Sequence, residues 1–178
     1  RLSQAYGRHW GSGNLVISGE YYSRDMLEAD ERPYVTLGGT QVPSLLPRDR
    51  NLGVTLFGRQ ELGATAETFF DALYTRRKSH NKSFEQSVTS NADIYVDNAQ
   101  VSLNAGLGWQ LGGHWRAEVS AGYGEDDLDV DIFDPLAFVA HGRTPILAKF
   151  TGIDAKADGP LVRLPGGVAR IALGAHWR

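Results

Sequence analysis

The chain has 178 residues, a net charge of −3, 42% hydrophobic residues and no cysteine. This composition is typical of a folded chain, and its acidic balance argues against binding to the phosphates of nucleic acid. The absence of cysteine excludes a disulfide scaffold, a thiolate zinc site and a thiol nucleophile. No apolar stretch reaches the roughly eighteen residues of a spanning helix. Any crossing of a membrane would therefore use strands.

Eight β-strands are predicted from an alternation of apolar and polar residues with a period of two. In chain order they are residues 2–10, 15–22, 52–62, 68–77, 101–111, 115–123, 149–162 and 169–177. The clearest hairpin joins the fifth strand to the sixth through Gly112 and Gly113. Phe57 and Leu73 interrupt the alternation in their strands, which indicates a bulge. The sequence therefore predicts an all-β fold of antiparallel hairpins.

Short and long connections between these strands alternate along the chain. The tight turns are predicted near Gly13, Ala64, Gly113 and Gly166. The long polar connections are residues 28–50, 80–97 and 126–148. Prolines in the first and third predict ordered but irregular backbone, with a helical turn at 136–140. Outer-membrane barrels combine short periplasmic turns with long extracellular loops, so this rhythm favours an antiparallel transmembrane β-barrel wall.

The two faces of the predicted strands differ as the two faces of a barrel wall do. Strands in a bilayer present apolar side chains to lipid, whereas the lumen is wet. The predicted lumen-facing polar residues are Glu20, Asp71, Arg116, Glu118, Asp154, Lys156 and Arg170. The predicted aromatic anchors at the lipid interface are Trp10, Tyr21, Tyr74, Trp109, Trp115, Tyr123 and Trp177. A soluble sheet with one face on a core would alternate in the same way.

Several stretches resemble the barrel of TonB-dependent receptors of Gram-negative bacteria. They are residues 19–22, 51–58 and 73–77, and above all 157–178 with the turn Leu164-Pro165-Gly166-Gly167. The resemblance implies a barrel of about 22 strands around a plug domain. It also implies energised import: extracellular loops bind a small nutrient ligand, and the TonB energy-transducing complex pulls on the plug.

The chain departs from that family plan in three ways. No plug domain or TonB-binding segment is recognisable, and about a third of the strands are present. The chain also ends on Arg178 instead of the terminal aromatic residue of the last barrel strand. We therefore expect residues 1–178 to be a part of a TonB-dependent receptor-like barrel domain, without its plug.

Two charge clusters are candidate sites. Asp127, Asp129 and Asp131 have oxygens that calcium uses, but they lack the glycine and glutamate of a calcium loop, so a solvated strand extension is favoured. The basic run 76–78 lies at the loop end of its strand, where contact with lipopolysaccharide phosphates and simple solubility explain it equally well. The five histidines are scattered, and no serine lies in a nucleophile elbow. Neither a cofactor nor catalysis is predicted.

Three hypotheses follow from the sequence. The first is a segment of an outer-membrane receptor for TonB-dependent uptake of a nutrient such as an iron–siderophore complex. Its partners would be outer-membrane lipid and lipopolysaccharide, with the three long connections in contact with the ligand. The second is a small self-closed eight-stranded barrel with a structural or adhesion role. The third is a soluble β-sandwich that binds a partner.

Overall fold

The computed structural model describes residues 1–34, 42–85, 90–133 and 141–178. The strands are β1 (Leu2–Trp10), β2 (Gly13–Arg24), β3 (Leu27–Glu28), β4 (Ser44–Leu46), β5 (Arg48–Leu62), β6 (Ala66–Glu85), β7 (Ser90–Leu111), β8 (Trp115–Phe133), β9 (His141–Leu164) and β10 (Gly167–Trp177). Eight of them form one antiparallel sheet in the order β1-β2-β5-β6-β7-β8-β9-β10, and β3 pairs with β4. The prediction of an all-β antiparallel fold with eight main strands is confirmed.

The four predicted tight turns all lie at one end of the sheet, which we call the turn end. They connect β1 to β2, β5 to β6, β7 to β8 and β9 to β10. Gly63 has a φ of 78° and Gly113 a φ of 71°. These left-handed conformations are cheap for glycine and strained for other residues, which explains why glycines occupy them. We call the opposite end the loop end.

The second and third long connections are mostly strand, so this part of the prediction is wrong. β6 continues to Glu85 and β7 begins at Ser90. β8 continues to Phe133 and β9 begins at His141. Only residues 86–89 and 134–140 separate them, and these lie outside the described residues together with the predicted helical turn at 136–140.

Charged residues in strand-like alternation explain these extensions. On β8, aspartates at 127, 129 and 131 alternate with Leu128, Val130 and Ile132. Opposite charges on neighbouring strands stabilise such pairing. Even Pro145 lies within β9, at a level that β10 does not reach, where a missing backbone N–H is tolerated. High polarity was therefore a poor guide to loop in this chain.

The first long connection is ordered where it is described. It contains a single 3-10 turn, Ala29–Glu31, and the short β3–β4 hairpin. Ser44 Oγ donates a hydrogen bond to Asn81 Oδ1 at 2.6 Å, and Lys82 Nζ lies 2.6 Å from Glu28 Oε1. These contacts hold the β3–β4 hairpin against β6 near the loop end of the sheet.

The predicted bulge at Phe57 and Leu73 is absent, because β5 and β6 keep one register from Arg48 to Leu62. The register of the main sheet shifts instead between Ala169 and Arg170, near the last turn. Phe57 and Leu73 simply point to the face opposite their apolar neighbours, with 46% and 39% of their surface exposed.

The main sheet is a single open layer. Within the described ranges, each strand of the main sheet contacts chiefly its neighbours, and the small β3–β4 sheet contacts it near the loop end of β6. Ala29 is the one hydrophobic side chain buried among the described residues, whereas Ile17, Leu107 and Leu173 are 43%, 40% and 59% exposed. No helix in these ranges is long and apolar enough to span a membrane. The apolar side chains of the main sheet are therefore largely exposed instead of forming a buried core.

Candidate membrane interface and polar face

All seven predicted aromatic anchors lie on the same face of the sheet. Directly paired residues share a face, and side chains alternate between the faces along each strand. In β1, β5 and β6 the register assigns the even-numbered residues to this face. In β2 and in β7 to β10 it assigns the odd-numbered residues, as far as the register shift near Pro160. We call it the aromatic face.

Aromatic residues form two rows on this face with one constant spacing. Three tryptophans near the turn end each lie eight residues from a tyrosine, counted along the tyrosine's strand from the position that the tryptophan occupies or pairs with. The pairs are Trp10 with Tyr21, Trp109 with Tyr74, and Trp115 with Tyr123, over the steps 13 to 21, 66 to 74 and 115 to 123. Eight residues of a tilted strand rise about 20 Å, close to the roughly 25 Å apolar band of outer-membrane barrels.

The surface between the two rows is apolar. Its residues include Leu15, Ile17, Val54, Leu56, Phe70, Ala105, Leu107, Val119, Ala121, Ile153 and Ala155. Arg8 is the charged exception in the described strands, and it lies two residues from Trp10. An arginine this near the end of the band can extend its guanidinium past the tryptophan row into water. We call this surface the apolar band.

Aromatic rings of the band lie against glycines of the neighbouring strand. The Trp115 indole covers Gly159 so closely that a Cβ added there would overlap the ring. Phe70 covers Gly58, where an added Cβ would lie 2.8 Å from the ring Cε1. At the turn end, Trp10 Nε1 donates to Gln60 Oε1 at 2.8 Å. These contacts explain why glycine stands at 58 and 159 inside strands, where it is otherwise unfavourable.

All seven predicted lumen-facing residues lie on the opposite face, which we call the polar face. Arg116 is central: its Nη2 lies 2.7 Å from Glu67 Oε1 and 3.8 Å from Glu118 Oε2. Lys156 Nζ lies 2.9 Å from Glu118 Oε1. Glu67 and Glu118 both pair with Gly108 of the intervening strand, which leaves room between them. Four charges therefore form one network across β6, β8 and β9.

The other predicted polar residues are also paired. The contacts are Arg170 Nη2 to Asp158 Oδ2 at 2.7 Å, His176 Nδ1 to Asp154 Oδ1 at 2.6 Å, Asn104 Nδ2 to Asp71 Oδ2 at 3.0 Å and Arg1 Nη2 to Glu20 Oε2 at 2.6 Å. The sequence pointed to one member of each pair and missed partners such as Glu67 and Asp158. Strand register, which the sequence leaves open, decides these pairings.

Beyond the tyrosine row, toward the loop end, the aromatic face becomes charged, and the polar face carries apolar residues beside the charged pair of Arg77 and Asp49. There the aromatic face carries the ionisable residues Arg48, Arg50, Arg76, Lys78, His80, Lys82, Asp93, Asp97, Glu125, Asp127, Asp129, Asp131, Arg143 and Lys149. We call this set the charged belt. The polar face carries Ile94, Val96, Leu128, Val130, Ile132 and Ile146 at the same level. The band of apolar surface on the aromatic face is thus sharply bounded.

Opposite charges pair across strands in the charged belt. Asp97 Oδ2 lies 2.8 Å from Arg76 Nη2 and 3.2 Å from Lys78 Nζ. The hydrogen bond from Arg76, helped by Lys78, lowers the pKa of Asp97. Arg143 donates to both oxygens of Asp129 and lowers the pKa of that carboxyl as well.

The basic run 76–78 is divided between the faces. Arg76 and Lys78 lie in the charged belt, whereas Arg77 points to the polar face. There Arg77 binds Asp49 through two hydrogen bonds of 3.0 and 2.9 Å, and Asp49 is only 8% exposed. The three residues therefore cannot contact one phosphate group together, and contact of this run with lipopolysaccharide phosphates stays a prediction.

The aspartates named as weak calcium candidates do not converge. Asp127, Asp129 and Asp131 follow one another along the same face of β8, and Asp129 is bound to Arg143. In the described ranges, no three acidic or histidine side chains are arranged to hold a metal ion. The favoured interpretation, a solvated extension of the strand, agrees with the course of β8.

The chain matches no family model, no curated protein and no solved structure. We therefore argue its function from the chemistry of the two faces.

Proposed function

We propose that this chain forms part of the lipid-facing wall of a β-barrel in the outer membrane of a Gram-negative bacterium. The observation that carries the proposal is the uncovered apolar band between two aromatic rows. Lipid covers such a band without a second protein layer, and tryptophan and tyrosine prefer the two membrane interfaces. The tight turns would then lie in the periplasm and the long strand extensions outside the cell.

The polar face supports the same placement, as the side that faces a wet lumen. Its charges are paired with each other, as in the network around Arg116, and most of them are partly exposed. Such pairs are inexpensive where water reaches them and costly in a dry core. A soluble sandwich would instead need its apolar face against a second layer, and none packs there among the described residues.

The barrel wall is proposed to belong to a receptor for TonB-dependent uptake of a small nutrient such as an iron–siderophore complex. The support is the resemblance of residues 157–178 to that family, together with the open sheet, whose edge strands β1 and β10 lack a neighbour on one side. A wall segment continues into further strands at both edges. The ligand would be held at the loop end, inside the barrel mouth.

The second candidate is a small closed barrel. Eight strands in sequential order are enough to close one, and this sheet has that order. Closure would require β1 to pair with β10. The mass of the intact polypeptide extracted from outer membranes separates the two candidates: a chain several times longer supports the receptor, and a chain of about this size supports the small barrel.

Lipid contact can be tested with single cysteines, because the chain has none of its own. Leu107 and Ser102 lie on the same strand but on the aromatic and polar faces, and Leu107 is level with Val119 in the apolar band. Leu107→Cys and Ser102→Cys are made in the native polypeptide, labelled with a small environment-sensitive fluorophore and reconstituted in vesicles. Spin-labelled lipid should quench the label at 107, and aqueous iodide the label at 102.

The membrane wall would be rejected if iodide quenched both labels equally, or if neither lipid nor iodide quenched either label. Quenching by lipid at 102 and by iodide at 107 would invert the faces and reject this assignment too. Transport is tested separately: cells with the native polypeptide should accumulate a labelled ferric siderophore only when TonB is present, and equal uptake without TonB rejects the receptor.

A further inference from the structure

One part of the charged belt holds three cations, Arg48, Arg50 and Lys78, and among the described residues only Lys78 has an acidic partner. Arg50 of β5 is directly opposite Lys78 of β6, and Arg48 is directly opposite His80. The like charges of Arg50 and Lys78 destabilise the sheet at their position, whereas the His80 ring is bound to Asp93. Lys78 shares its only acidic partner, Asp97, with Arg76. Among the described residues, neither Arg48 nor Arg50 has any ion-pair partner.

These cations border the apolar band. Arg50 is two residues beyond Leu52, which pairs with Tyr21 of the tyrosine row and is 42% exposed. Arg48, Arg50 and Lys78 line a surface cavity of ≈ 490 Å³ on the aromatic face. The cavity therefore opens where the headgroups of the outer leaflet would begin.

The other walls of the cavity explain its polarity. His80 and Tyr95 stack at 4.1 Å between their ring centres and form part of the lining. Asp97 lines the cavity beside Lys78, and Asp129 and Asp131 line the opposite side, on β8, where Asp129 is bound to Arg143. An anion is thus attracted chiefly to Arg48 and Arg50 on β5, with Lys78 opposite them, and is repelled from the aspartates.

We propose that Arg48, Arg50 and Lys78 bind the phosphate group of an outer-leaflet lipid whose acyl chains lie on the apolar band. This inference rests on the proposed membrane placement and names the lipid chemistry that the wall selects. A phosphomonoester carries more than one negative charge and several acceptor oxygens, which suits guanidinium groups. It would relieve the repulsion between Arg50 and Lys78. The adjoining apolar surface, at Leu52, favours a lipid phosphate over a free one.

The test measures lipid binding by native mass spectrometry on the native polypeptide in detergent. The probes are phosphatidic acid and diacylglycerol with identical acyl chains, so that they differ only in the phosphate. Arg50→Gln combined with Lys78→Gln should weaken phosphatidic acid binding by about tenfold or more, which corresponds to the loss of roughly one strong charge-assisted contact. Arg50→Lys, which retains the charge, should keep most of the binding.

The matched control combines Lys149→Gln with Lys156→Gln. It changes the net charge equally, but both lysines have acidic partners, at 3.3 Å and 2.9 Å, and neither lines the cavity. Its phosphatidic acid affinity should change by less than about twofold, given the small contribution of exposed ion pairs. Circular dichroism confirms that each variant is folded.

Three outcomes would overturn the lipid site: equal losses in the two double variants, equal binding of diacylglycerol and phosphatidic acid, or full displacement of phosphatidic acid by an equal concentration of inorganic phosphate. Any of them leaves the membrane wall standing if lipid still quenches the label at residue 107. Absence of that quenching would reject the wall itself.

Discussion

Arginine in place of Val119 gives the most direct energetic test of the apolar band. Val119 lies midway between Trp115 and Tyr123 and is 42% exposed on the aromatic face. An arginine on the lipid face at the bilayer midplane costs about 2–4 kcal/mol. That range shifts the unfolding equilibrium by roughly 30- to 700-fold. At Ser120, on the polar face opposite Asp154, an arginine meets an opposite charge and should cost less than about 1 kcal/mol.

The assay is a guanidinium chloride titration of the native polypeptide in lipid vesicles, followed by tryptophan fluorescence. Leu103 pairs with Tyr123, at the end of the band, so Leu103→Arg should cost only about 0–1 kcal/mol there. A lipid environment predicts this dependence on depth. Equal destabilisation at 103 and 119 would indicate a protein-covered core, and a loss below about 1 kcal/mol at both would indicate water. Either result refutes the reasoning.

Two further substitutions test contacts within the wall. Gly159→Ala should displace the Trp115 ring, destabilise the protein by about 1–3 kcal/mol through overpacking and change the tryptophan emission. The control is Gly19→Ala, where an added Cβ would lie 3.9 Å from its nearest atom and the stability should hardly change. Equal effects of the two substitutions would contradict the contact between Trp115 and Gly159. Asp49→Ala removes the carboxylate that accepts two hydrogen bonds from Arg77 and should lower the free energy of unfolding by about 1–2 kcal/mol in the same titration. An unchanged unfolding midpoint would show that the pair does not contribute to stability.

The sequence determined the strands and their faces because both follow from local alternation. A period of two assigned all seven aromatic anchors to one face and all seven polar residues to the other, without knowledge of any partner strand. The tight turns were equally local, since a glycine at position 63 or 113 supplies the left-handed backbone there.

The high polarity of residues 80–97 and 126–148 predicts loops, whereas the structure extends the strands through most of both segments. The aspartates of β8 are polar, but they alternate with Leu128, Val130 and Ile132, and the period continues to Phe133. Cross-strand pairs such as Arg143 with Asp129 hold these extensions together. The sequence therefore indicates strand here through the alternation of its residues, although the segment is not hydrophobic.

The tertiary structure alone decided which residues meet across strands, since register is a property of pairing and not of any single strand. It joined Arg116 to Glu67, which are 49 residues apart in the chain. It also separated Arg77 from its neighbours in sequence and placed Arg50 opposite Lys78. Alternation fixes the face of a side chain, whereas only the assembled sheet fixes its neighbour, and the chemistry of a site depends on both.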